Sequence, residues 1–312
     1  MDEQATIFEI RPAIRKATPA LIALWGESNT GKTYSALHLA RGLVGPTGKI
    51  GLIDTENRRA EFYSGLVGGW DHLDFQPPFT PDRYTAAMRA FEEKDYGCII
   101  VDSMSHVWVG ESGVLEMAEK RGGNGINKWA APKMAYQRML NTLLRAPVHV
   151  IFCLRAKEKI VQEGTGRDAK IYSAGMVPIM EKTFIYEMTV AAMLQKGTHL
   201  PVDVKAPEDL IPAIPPTRTI GIETGQMIAE WVAGGVVVDH AAEKARKIAR
   251  DMATLGTERY KAFFTGLTGA EKMMLKPIHE ELKALAVTAD AEAREERPAS
   301  NEDDPFGSPR AA

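Results

Sequence analysis

Apolar residues in this chain fall into short unbroken runs, and most of these alternate with segments of helical spacing. An alternating stretch, Ile7-Phe8-Glu9-Ile10-Arg11, reads as a short leading strand. The run at 20–25 reads as a buried strand and is followed by helical spacing to about Leu43. Gly45-Pro46-Thr47-Gly48 is a turn, and 49–54 is a second strand. A helix is expected over 58–66 and a short strand near 73–75. Pro81 opens a helix to about Glu93, since proline suits a first helical turn. Residues 97–102 form a strongly apolar strand, 126–145 a helix, and 148–154 another strand. Strands alternating with helices predict an α/β fold, with a mostly parallel sheet between helices.

After Leu154 the pattern changes. Residues 157–161 and 170–172 flank a polar, glycine-rich tip at 163–168, as in a hairpin projecting from the sheet. Residues 184–194 and 200–205 read as further strands, expected to be antiparallel. A helix is expected near 225–232, and 240–255 and 258–287 form a small helical region. The sequence divides into a core at 1–235, a helical region at 236–288 and an acidic tail at 289–312. The tail is poor in large apolar residues and is expected to be disordered.

A chain of 312 residues can bury one large core with an appendage. Its net charge of -3 argues neither for nor against a polyanionic partner. Cys98 and Cys153 both sit in apolar runs, so they read as buried thiols rather than redox or metal groups. The polar opening Met1-Asp2-Glu3-Gln4 does not resemble a signal peptide, and no apolar stretch is long enough for a membrane span. A cytoplasmic protein without a membrane partner is expected.

The chemistry is concentrated at 26–33, Gly-Glu-Ser-Asn-Thr-Gly-Lys-Thr. A glycine-rich turn between a strand and a helix aims several backbone N–H groups at one point, where the helix N-terminus also favours an anion. This is a phosphate-binding loop: Gly26, Glu27, Ser28, Asn29, Thr30, Gly31, Lys32, Thr33 and Tyr34 are the expected nucleotide contacts. Lys32 can reach the β- and γ-phosphates, and the Thr33 hydroxyl can ligate magnesium. Asp102, at the end of an apolar strand, fits a magnesium-orienting carboxylate or an ordinary helix N-cap. Glu56 fits a base for the attacking water, with Asp54 the alternative if the register shifts by two. ATP and Mg2+ are the expected cofactors.

Three segments in order resemble the RecA-type ATPase core: the phosphate loop, Lys49-Ile50-Gly51-Leu52-Ile53-Asp54-Thr55-Glu56, and Cys98-Ile99-Ile100-Val101-Asp102-Ser103. The resemblance covers roughly residues 20–205. It implies a RecA-like P-loop NTPase core, with the catalytic glutamate at Glu56 and the metal-side acid at Asp102. More narrowly, the chain resembles compact phage ATPases of recombination and single-strand annealing. Where the family carries a polar amide that senses the γ-phosphate, this chain has Arg155. Lys157, Lys159, Arg167 and Lys170 fall where the family places DNA-binding loops, and 110–129 is a second candidate contact. Residues 1–19 do not match the long N-terminal module of bacterial recombinases, so filaments of that type are not expected.

The resemblance also implies single-stranded DNA as partner, and a homo-oligomer with nucleotide at subunit interfaces. Asp303-Asp304-Pro305-Phe306 resembles the acidic tips of single-strand binding proteins, but those end in a free carboxylate after Phe and here six residues follow, so a solvating tail is the expectation. Hydrolysis coupled to recombination, repair or annealing is the first expectation. A ring-type motor or helicase loader in phage replication or packaging is the alternative, and a small-molecule or nucleotide kinase is the third.

Overall fold

The structure is a computed structural model that describes residues 16–122, 125, 127–164, 170–234 and 240–295. The expected strand at 7–11, the tip residues 165–169 with Arg167, and 296–312 lie outside the described residues. The chain divides into two compact units, at 1–237 and 238–312.

In the first unit, eight strands form one sheet. Five of them are β1 (Leu21–Gly26), β2 (Ile50–Asp54), β3 (Asp71–Asp74), β4 (Cys98–Asp102) and β5 (His149–Glu163). The others are β6 (Lys170–Pro178), β7 (Val190–Leu194) and β8 (Pro201–Lys205). The order is β3-β2-β4-β5-β1-β7-β8, with β6 paired to the outer half of β5. The pairings from β3 to β7 are parallel; only β5–β6 and β7–β8 are antiparallel.

A strand between two helical layers is apolar on both faces, which is why the central strands read as continuous apolar runs. Successive side chains of β1 alternate between two cores. Leu21, Ala23 and Trp25 join one with Tyr84 and Met88 of α2 (Pro81–Glu92) and Met139 and Leu140 of α5 (Asn127–Leu143). Ala20, Ile22 and Leu24 join the other with Leu37 and Leu39 of α1 (Lys32–Val44) and Ile228 of α6 (Ile222–Ala233). The second core depends on close backbone approach. A Cβ on Gly225 would lie 2.3 Å from the Leu39 carbonyl oxygen and 2.8 Å from Gly42 Cα. Gly225→Ala is therefore expected to destabilise the protein by about 1–3 kcal/mol, the cost of overpacking a dense interface. Urea unfolding measures it, and an unchanged midpoint would show that the helices can separate without loss.

Four expectations are corrected. The helix expected over 58–66 is only a 3-10 turn, Arg59–Tyr63, because Asp54 ties down its backbone and Arg58 and Val67 adopt positive φ. The strand expected over 184–194 is a 3-10 turn, Phe184–Glu187, followed by β7. That β7 is parallel to β1 rather than antiparallel, with Thr189 N–H donating to the Leu21 carbonyl to start the pairing. The 110–129 stretch is not one loop: it follows α3 (His106–Val109) and holds α4 (Val114–Lys120) and the start of α5, with Gly123, Asn124 and Ile126 outside the described residues.

The second unit holds α7 (His240–Ala253), α8 (Thr257–Gly266), α9 (Gly269–Leu275) and α10 (His279–Glu295) around Ala249, Ala253, Tyr260, Leu275, Leu282 and Ala286. α10 runs to Glu295, into the segment expected to be tail, because Ala289, Ala291 and Ala293 favour helix and Asp290 accepts from Thr257 N–H at 3.1 Å. Among the described residues, no helix is long and apolar enough to cross a membrane.

Candidate functional site

Strands β1, β2, β4 and β5 end at the same edge of the sheet, so their carboxyl-end residues share one crevice. Strand β5 lies between β1 and β4 and places Arg155 beside Gly26 in register. The crevice is a cavity of about 910 Å³. Residues 28–34 line one side, and Glu56, Asp102 and Arg155 line the far wall.

The loop at 26–33 follows its sequence. Gly31 has φ +82° and Asn29 φ +64°, conformations that glycine and asparagine tolerate best. A Cβ on Gly26 would lie 2.8 Å from the Leu194 carbonyl oxygen. Thr30 Oγ1 donates to the Glu27 carbonyl at 3.0 Å and closes the turn. Lys32 Nζ arches over the loop and donates to the carbonyls of Gly26 at 3.1 Å and Glu27 at 2.6 Å. Glu27 itself points away from the cavity lining, toward Lys196 at 3.8 Å. Tyr34 is half exposed and stacks on His38, with ring centroids 4.2 Å apart.

Thr33 Oγ1 donates to Asp102 Oδ2 at 2.5 Å. Burial pushes the Asp102 carboxyl up to about 6, against the pull of the Thr33 hydrogen bond and the Lys32 charge. A buried carboxylate joined to a hydroxyl is a hard-oxygen pair that fits magnesium. Among the described residues there is no cage of three or more His, Cys, Asp or Glu.

Glu56 is held by Arg155 in a two-pronged pair, Nε to Oε1 at 2.7 Å and Nη2 to Oε2 at 2.5 Å. Burial raises the Glu56 carboxyl, but the Arg155 hydrogen bond and charge outweigh it and hold the group below the usual carboxylate range. The two neighbours of Glu56 fix its place. Thr55 Oγ1 donates to the Ser103 carbonyl at 3.1 Å and accepts from Ser103 N–H at 2.7 Å, tying β2 to β4. His106 Nδ1 lies 2.6 Å from the same hydroxyl, and burial keeps that imidazole below its ordinary value. Asp54 is fully buried, and its oxygens accept from Glu56 N–H at 2.7 Å and Ala60 N–H at 3.1 Å. Asp54 does not line the cavity, whereas Glu56 does.

The structure thus brings Lys32, Thr33, Glu56, Asp102 and Arg155 together. Lys157, Lys159 and Lys170 are exposed on the β5–β6 hairpin, outside the cavity lining. The sequence reading missed Arg59, Phe62, Tyr63, His199, Thr219 and Ile220 in that lining. Phe62 and Tyr63 carried a faint signal, an aromatic pair just after a strand-end acid. His199 carried none, since the β7–β8 turn brings it to Gly31 across the fold.

A family model described as an AAA domain matches residues 18–190, more than half of the chain. The chain belongs to this AAA-domain family. The matched part contains the phosphate loop, Glu56, Asp102, Arg155 and the hairpin, whereas His199, Thr219 and Ile220 of the cavity lining lie beyond it. The mostly parallel sheet between helices expected from the sequence is the one found. Solved structures similar to the AAA domain include a KaiC-like protein of the hyperthermophilic archaeon Pyrococcus horikoshii. It is 13% identical, with TM-score 0.29, covering 52% of this chain and 79% of that one. The flagellar accessory protein FlaH of Methanocaldococcus jannaschii is 18% identical, with TM-score 0.26, covering 51% and 78%. No curated protein matches the chain.

Proposed function

We propose that this AAA domain hydrolyses ATP with magnesium and acts on single-stranded DNA in recombination, repair or annealing, as a compact phage-type ATPase. The observation that carries the reading is the convergence of Lys32, the Thr33–Asp102 pair and Glu56 on one cavity. Lys32 and the loop N–H groups bind the phosphates at the N-terminus of α1. Thr33 and Asp102 hold magnesium, which neutralises phosphate charge. Glu56 takes a proton from water. While Arg155 is bonded to both Glu56 oxygens, it lowers their basicity toward a proton from water. A γ-phosphate offers Arg155 a competing anion, so nucleotide arrival both engages the arginine and frees the base. Phe62, almost fully exposed at the cavity mouth, supplies a stacking face for a base.

Charge supports the nucleic-acid half. Between Glu119 and Glu158 the chain carries Lys120, Arg121, Lys128, Lys133, Arg138, Arg145, Arg155 and Lys157 and no acid. On the hairpin, Val161 pairs with Tyr172 and Glu163 with Lys170. Lys157 and Lys159 are exposed on the same hairpin, where the register shifts between Glu158 and Ile160. Three exposed lysines on a hairpin with an exposed tyrosine suit a phosphate backbone with a stacked base.

The test is ATPase rate with and without single-stranded DNA across a salt series. Stimulation by DNA is expected; a rate indifferent to DNA at every salt concentration would reject the nucleic-acid half. Neutralising Lys157, Lys159, Arg167 and Lys170 together is expected to weaken single-strand binding. It should flatten the salt dependence by roughly 0.7 per lost phosphate contact. An unchanged slope would move the DNA site to 110–129.

A further inference from the structure

Strand β3 lies at the edge of the sheet and contributes His72, whose Nε2 is 3.1 Å from Asp54 Oδ2. Its Nδ1 is 3.4 Å from Glu61 Oε1 on the 3-10 turn. Asp54 thus has three partners: the N–H groups of Glu56 and Ala60, and the His72 ring. Those two N–H groups bracket the 56–60 turn. The segment continuing from that turn supplies Glu56, Arg59, Phe62 and Tyr63 to the cavity. No hydrogen bond of Glu56's own side chain fixes its backbone; its carboxylate reaches across to Arg155 on β5.

We propose that Asp54, oriented by His72, is a positioning residue that presents Glu56 to the cavity. The proposal rests on Glu56 acting as the base. A carboxylate is the right group at this place because all three partners can donate, and an acceptor-only side chain satisfies them together. Its full burial makes the bonds costly to lose, since an unpaired N–H would be left without water. His72 fixes which way the carboxylate turns, and its second nitrogen faces Glu61 on the 3-10 turn. Asp54 thereby holds both ends of the 56–60 turn from β2.

The functional consequence is selective. Lys32, Thr33 and Asp102 share no hydrogen bond with the Asp54 or His72 side chains, although Asp54 lies opposite Asp102 in the β2–β4 register and its charge helps to raise the Asp102 carboxyl; nucleotide capture is therefore expected to suffer less than turnover. A displacement of the base by about 1 Å can cost on the order of a hundredfold in rate. Asp54→Asn replaces one acceptor by a donor facing donors. It is expected to lower kcat by roughly a hundredfold, with the KM for ATP and the affinity for ADP within about twofold. His72→Leu, at a partly exposed edge position, is expected to lower kcat by roughly tenfold. His72→Gln, which keeps a donor for Asp54, is expected to recover most of that loss.

The experiment is steady-state ATPase of the full chain, with ADP binding by calorimetry and thermal unfolding alongside. Full turnover in both Asp54→Asn and His72→Leu would overturn the proposal. Equal proportional losses in kcat and ADP affinity would also overturn it, by showing a general structural role. If Asp54→Asn does not fold, the His72 pair decides, through the presence or absence of rescue by Gln. Failure of the underlying reading shows separately: Glu56→Gln would then turn over normally whatever the Asp54 and His72 variants do.

Discussion

Lys32→Ala is expected to abolish nucleotide binding, and with it hydrolysis, while the fold survives. The ammonium of Lys32 lies against the carbonyls of Gly26 and Glu27, at the mouth of a loop whose remaining groups are backbone N–H donors. A polyphosphate brings several negative charges to that place, and Lys32 is the loop's only formal positive charge. Charge-assisted hydrogen bonds are worth about 1.5–3 kcal/mol each, so losing those to the β- and γ-phosphates costs roughly a hundredfold or more in affinity. The lysine contributes little packing: the first helix is anchored by Ala36, Leu37, Leu39 and Ala40, all buried. Thermal unfolding without nucleotide should therefore barely move. Calorimetric titration with ATP measures the loss. Normal ATP binding by a correctly folded variant would remove the phosphate loop from the function.

The features legible in the sequence were those with local causes. The phosphate loop is contiguous, and its strand–turn–helix context follows from apolar periodicity on either side. The central strands β1, β2, β4 and β5 were legible because burial on both faces leaves no polar interruption. Glu56 and Asp102 were legible because each ends such a strand, and the edge where those strands end is where ligands bind in this class of sheet. What stayed hidden is non-local. Asp54 looked like a second candidate base because its sequence position is equivalent to Glu56 within two residues. Only its partners on β3 and on the 56–60 turn reveal a supporting role. The 3-10 turn at Arg59–Tyr63 was read as a helix for the same reason: the tether that shortens it comes from Asp54. The direction of β7 depended on its neighbour β1, distant in sequence, and periodicity carries no information about that choice. The Arg155–Glu56 pair joins residues 99 positions apart. Basic character at 155 was visible, but its partner was not.

That pair sharpens the remaining prediction. Glu56→Gln is expected to retain ATP and hydrolyse it slowly, with a loss of roughly a hundredfold or more, since an amide cannot accept a proton from water. The structure adds a second effect with the opposite sign. Gln presents one oxygen where Glu presents two, so one of the two Arg155 bonds is lost and the arginine is freer to move toward a γ-phosphate. ATP affinity should therefore hold or rise while kcat falls, a split that loss of folding cannot imitate. Single-turnover hydrolysis together with ATP titration separates the two quantities. If turnover is nearly unchanged, Glu56 is not the base. Asp54 cannot then inherit the role, because its oxygens face Glu56 N–H, Ala60 N–H and His72 rather than the cavity. Nor is Asp102 free, since its carboxylate is committed to the Thr33 hydroxyl on the magnesium side. Unchanged turnover would then mean that none of these carboxylates is the base, and that the Arg155–Glu56 pair positions the arginine rather than the water.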